Sequence, residues 1–124
     1  MSGLLVLLLG ACSATGGNLT RSAPPEDGLP VARFFSRAYP DDIAACVAER
    51  WQRLSTLGVG EVRRHPGFRG LVVDVRAPGD PLARARVEIF TQRGLSRIDY
   101  YIRSFTHDPV EDLRLRALQL CLQG

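Results

Sequence analysis

The chain has 124 residues, of which 45% are apolar and 23% charged, the proportions of a soluble globular protein and enough length for one domain rather than two. The net charge of +3 is too small to argue for a nucleic-acid partner, and none is expected. All 16 basic residues are arginine, which reads first as the codon usage of a GC-rich genome and second as a surface suited to forked contacts with carboxylate or phosphate.

Leu4 to Leu9 form an unbroken aliphatic run, and two small residues then precede Cys12. That run is far short of the ~20 residues that cross a bilayer core as a helix. It suits the apolar region of an export signal. Leu9-Gly10-Ala11-Cys12 resembles the lipobox of bacterial lipoproteins: an aliphatic residue, two small residues and a cysteine. The resemblance covers the first dozen residues. It implies a signal peptide over 1–11, cleavage before Cys12, diacylglycerol on the Cys12 sulfur and an acyl chain such as palmitate on the new amino group. Two or more chains hold a protein stably on a membrane, at ~0.8 kcal/mol per buried CH₂. By the sorting pattern of enteric-type bacteria, Ser13 in place of aspartate implies the outer rather than the inner membrane. Met1-Ser2-Gly3 carries no positive charge, whereas a signal peptide begins with one, so a start codon upstream is expected.

Residues 13 to 28 are rich in Gly, Ser, Thr and Pro, with Leu19 the one bulky apolar side chain. Such a segment cannot bury enough surface to offset the entropy of ordering. Residues 12–28 are therefore expected to form the attachment cysteine and a flexible tether, and 29–124 a single α+β domain. Val31, Phe34 and Phe35 suggest that packing begins there, as a short helix or an edge segment.

Tyr39-Pro40-Asp41-Asp42 reads as a helix start, with proline in the first turn and two acids at the positive end of the dipole. Ile43, Val47, Trp51 and Leu54 follow on one stripe, with Cys46 and Arg50 along its edge, and Gly58 is the expected stop. The stripe makes Trp51 a core residue rather than a ligand platform. A short strand over Glu61 to His65 is possible before Pro66-Gly67. Leu71, Val73 and Val75 then alternate with Asp74 and Arg76; Ala83, Ala85, Val87 and Ile89 with Arg84, Arg86, Glu88 and Phe90; and Ile98, Tyr100 and Ile102 with Arg97, Asp99, Tyr101 and Arg103. Pro78-Gly79-Asp80-Pro81 and Gln92-Arg93-Gly94 read as turns. Asp108-Pro109-Val110-Glu111 reads as a helix cap. Val110, Leu113, Ala117, Leu118 and Cys121 are expected on the inner face of the last helix, widened by Leu115, Leu120 and Leu122. The expectation is an antiparallel sheet of three or four strands, in helix–strands–helix order, with both helices on one face.

If lipid takes Cys12, Cys46 and Cys121 remain, in an oxidising compartment. Two helices side by side would let them pair; the alternative is two buried free thiols. His65 and His107 have no ligand spacing to them, so neither a metal nor another cofactor is expected. The two histidines read as solvated or capping residues, although a catalytic pairing with Asp74, Asp99 or Asp108 is not readable from spacing. Arg76, Arg84, Arg86, Arg97, Tyr101 and Arg103 share the outward sheet face. They form either a solvated face with cross-strand ion pairs or a binding surface, since Arg and Tyr favour interface centres. The Cys46 to Trp51 spacing with a late lone cysteine is similar to that of small uncharacterised proteobacterial lipoproteins, which implies no activity. The expected role is a non-enzymatic binding or structural module of the cell envelope, with a protein or cell-wall partner. An immunity or hydrolase-inhibitor lipoprotein is the alternative, and a small envelope enzyme a third.

Overall fold

The computed structural model describes residues 29–55, 60–103 and 110–123. Cys12, the tether, Gly58, His107 and the Asp108-Pro109 cap lie outside the described residues. Ala32–Ser36 form the first strand, β1, and Pro40–Leu54 the first helix, α1. Four strands follow: β2 (Glu61–Pro66), β3 (Leu71–Arg76), β4 (Ala85–Gln92) and β5 (Leu95–Ile102). Glu111–Leu120 form α2. The strands make one antiparallel sheet in the order β1-β5-β4-β3-β2.

The fold is thus α+β, but with five strands instead of three or four, and it opens on a strand instead of a helix. The added strand is β1, which takes the outer edge beside β5, from Ala32 opposite Tyr100 to Ser36 opposite Ser96. No sequence neighbour closes a hairpin onto it, so local pattern left helix and edge segment equally open.

The turns follow from their residues. Ala77 to Asp80 close a turn through Asp80 N–H to the Ala77 carbonyl at 3.0 Å, with Pro78 second and Gly79 third at φ 79°. That is the type II arrangement, in which the third residue needs positive φ. Arg93 (φ 54°) and Gly94 (φ 80°) form the two-residue link between β4 and β5, and both left-handed residues match the twist of a tight hairpin.

Alternation sends Val73, Val75, Ala85, Val87, Ile89, Ile98 and Tyr100 to one face, where Ile43, Ala44, Val47 and Trp51 of α1 cover them. Trp51 is in the core as expected. Its ring meets Tyr100 edge-on at 6.3 Å, and its Nε1–H donates to the Arg114 carbonyl at 3.0 Å. α1 lies on β2, β3 and β4, while α2 packs chiefly along α1. The Ser36 hydroxyl, bonded to the Leu122 carbonyl at 2.5 Å, ties the end of α2 to β1. α2 begins at Glu111, with Val110 as its cap. Its inner face also differs from expectation, since Leu113 is 42% exposed and Leu120 49%, whereas Arg114 is 2% exposed.

Cys46 of α1 and Cys121, just past α2, form a disulfide with Cα atoms 5.7 Å apart. It clamps the two helices together, as the cysteine count led one to expect.

Candidate functional site: the outer face of the sheet

The opposite sheet face carries no helix among the described residues, and it collects most of the charged strand positions, Arg64 opposite the core residue Val73 excepted. Arg33 stands opposite Asp99, Asp99 opposite Glu88, and Asp74 between Arg63 and Arg86. Two acids directly opposed, as Asp99 and Glu88 are, repel one another in a sheet. Arginines resolve the conflict. Arg97 forks onto Asp99 with two bonds of 3.0 Å, Arg33 Nε reaches the same carboxylate at 3.0 Å, and Arg69 Nη2 lies 2.7 Å from Glu88 and 3.3 Å from Asp99. Asp99 is 1% exposed and has cations from β1, from β5 and from the β2–β3 turn.

Each residue expected on a binding face does lie on this face or at its margin, but most are engaged within the domain. Arg86 is buried, with Nη2 3.0 Å from Glu88. Arg103 is buried, bonding Asp80 at 2.9 Å and the Leu82 carbonyl at 2.5 Å. This hydrogen bond from Arg103, with the Leu82 backbone N–H, holds the Asp80 carboxyl below its ordinary range. Arg76 approaches Asp74 at 3.5 Å. The Tyr101 hydroxyl lies 3.5 Å from Glu88; burial first, then the Glu88 and Asp99 charges, push its phenol pKa up. Arg84 is half-buried beside them, its backbone N–H bonded to the Val75 carbonyl.

No family model, curated protein or solved structure matches this chain. The site rests on its own geometry.

What remains open to a partner is the end of the face near the β2–β3 turn, which sequence reasoning missed. Phe68 at the turn tip is 98% exposed and Phe35 is 52% exposed. Between them, Arg69 stacks on the Phe90 ring at 4.1 Å and Arg97 lies 5.0 Å from the same ring. Phe35 pairs across the sheet with Arg97, and Arg97 with Phe90. The turn can settle this low because Gly70 has no Cβ; one there would collide with the Ile89 carbonyl and Phe90. The signal in the sequence was Phe90, which alternation sends outward with the charged residues.

His65 lies in a strand and is no helix cap, and its side chain is 29% exposed. Its Nε2 is 3.0 Å from Asp74 Oδ2, and its Nδ1 is 3.3 Å from the Pro66 carbonyl. Asp74 is fully buried. A histidine–carboxylate pair serves as a general base only if the second ring nitrogen faces the group that gives up its proton. Here that nitrogen faces a backbone oxygen. The pair is built to hold the β2 edge onto β3. Among the described residues no group of three His, Cys, Asp or Glu could hold a metal ion.

Proposed function

We propose that this chain is a lipid-anchored envelope lipoprotein, held to the outer membrane through Cys12, whose domain binds a partner without catalysis. The observation that carries the binding role is the row Phe35, Arg97, Phe90, Arg69 and Phe68, half-buried at Arg97 and Phe90 and exposed at Phe35, Arg69 and Phe68. Aromatic and arginine side chains dominate the energetics of protein interfaces, and an exposed phenylalanine at a turn tip is buried nowhere within the described fold. Arg69 and Arg97 are held in place by Asp99, Glu88 and Phe90, so little side-chain entropy is lost on binding. The lipobox-like Leu9-Gly10-Ala11-Cys12 carries the anchoring role. The Cys46–Cys121 disulfide accords with an oxidising compartment. The partner class is an envelope protein or the cell wall.

Two measurements test this. Intact-mass analysis of membrane-extracted protein should find cleavage before Cys12 and acyl mass on it; an unmodified Cys12 would overturn the anchor. Retention on purified cell-wall material and on immobilised envelope proteins should fall about thirtyfold in Phe68→Ala/Arg69→Ala, the loss expected when a residue worth ~2 kcal/mol is removed. Equal retention of a variant with an unchanged urea midpoint would remove the binding face.

A further inference from the structure

The outer surface of the helix pair carries a second pattern, unlike that of the sheet. Two clefts meet there at Leu120. One, of ≈ 240 Å³, lies between the helices and is lined by Arg50, Arg53 and Arg116 around Leu54, Leu113, Ala117 and Leu120. The other, of ≈ 440 Å³, runs past the disulfide and is lined by Arg37, Tyr39 and Asp42. Together the linings hold four arginines against one acid, Asp42, and of the four Arg53 is paired with Glu49 at 3.0 Å. The apolar side chains between them are not packed away: Leu113 is 42% exposed, Leu120 49% and Tyr39 75%.

Leucines exposed between arginines, with a tyrosine at the margin, match a surface that lies on lipid. Apolar groups enter the acyl boundary, guanidinium groups stay at the phosphates, and a tyrosine ring rests at the headgroup level. We infer that the domain docks on an anionic lipid surface through the groove between α1 and α2, with Arg50 and Arg116 on the phosphates and Leu113 and Leu120 in the apolar layer. Charge complementarity selects this occupant: each arginine near an anionic leaflet adds roughly a fivefold gain in binding. The inference deepens the anchoring proposed above, since only 16 residues separate Cys12 from Leu29, at most ~60 Å of fully extended chain between the lipid and the domain.

The test uses the full chain with Cys12→Ser, so that no lipid is attached, and vesicles of phosphatidylcholine with or without phosphatidylglycerol. All samples carry the same N-terminal segment, whose own affinity for vesicles cancels between variants. Binding should rise on the anionic vesicles, fall in high salt, and drop about tenfold or more in Arg50→Glu/Arg116→Glu, with the urea midpoint preserved. Leu113→Ser/Leu120→Ser should weaken it on the same vesicles. Equal binding by the wild type and both variants would overturn the inference. So would a stable dimer that disperses in these variants, because the groove would then hold a second copy of the chain. A failed anchor leaves this assay intact, since Cys12 is absent from it; a failed docking surface leaves the Cys12 mass unchanged.

Discussion

Asp99 sits opposite Glu88 between β5 and β4 with 1% of its surface exposed, and three guanidinium groups make this tolerable. Their contributions differ. Arg33 is 47% exposed at its side chain and Arg69 42%, whereas Arg97 is 16% exposed and donates to Asp99 through both Nε and Nη2. A half-exposed ion pair contributes little, because water and salt screen it. Removing the shared carboxylate instead leaves three cations converging on a buried point. Asp99→Ala should therefore cost about 2–4 kcal/mol, near the range for a broken buried pair with a discount for the exposed partners. Arg33→Ala should cost less than about 1 kcal/mol. Urea midpoints of the two variants check the contrast, and equal losses would mean that the cluster is a solvated network. The strand positions of this cluster were legible, because alternation alone sends Arg97, Asp99, Glu88 and Tyr101 to one face. Arg69 and Phe68 were not: they lie in a turn, and only the closing of β2 on β3 puts them over Phe90.

At the scale of elements, α2 shows how a correct helix can be rotated in the reading. Leu113 looks like a core residue beside Arg114, so the stripe is drawn through the leucine. Spacing leaves the other choice equally open, since 114, 118 and 121 recur at helical intervals just as 113, 117 and 121 do. The structure takes that choice and presents the Arg114 carbonyl to the Trp51 indole. The same rotation is what leaves Leu113 and Leu120 exposed beside Arg116. β1 was obscured for a different reason, as strand pairing with β5 is a contact between the two ends of the domain and leaves no local trace. α2 depends on the disulfide more than any other element does, because it packs chiefly along α1. Closing a loop of 75 residues removes unfolded-state entropy worth about 4.5 kcal/mol as an upper bound. Cys46→Ala/Cys121→Ala should lower unfolding free energy by about 3–4 kcal/mol. Its α2 amides should exchange hydrogen before those of β3, β4 and β5. Loss of protection at the same rate throughout would mean that α2 and the sheet open as one unit.

For the whole molecule, the sheet divides two kinds of chemistry. On one side, arginines meet internal carboxylates and an exposed aromatic row. On the other, the helices turn arginines and leucines outward from a groove. The two proposed contacts, a protein or cell-wall partner at the β2–β3 turn and an anionic lipid surface at the helix groove, lie on opposite sides of the core and share no residue. Substitutions without shared partners add in free energy to within roughly 0.5 kcal/mol. Combining Phe68→Ala with Arg50→Glu/Arg116→Glu should therefore keep the separate losses independent: partner retention falls as in Phe68→Ala alone, vesicle binding as in Arg50→Glu/Arg116→Glu alone, and neither is altered by the other. Measured on one set of proteins, this outcome would leave the domain free to present its sheet to the partner while its helices rest on the bilayer. Coupling beyond about threefold would instead place both contacts on one continuous surface, and the sheet would then not separate them.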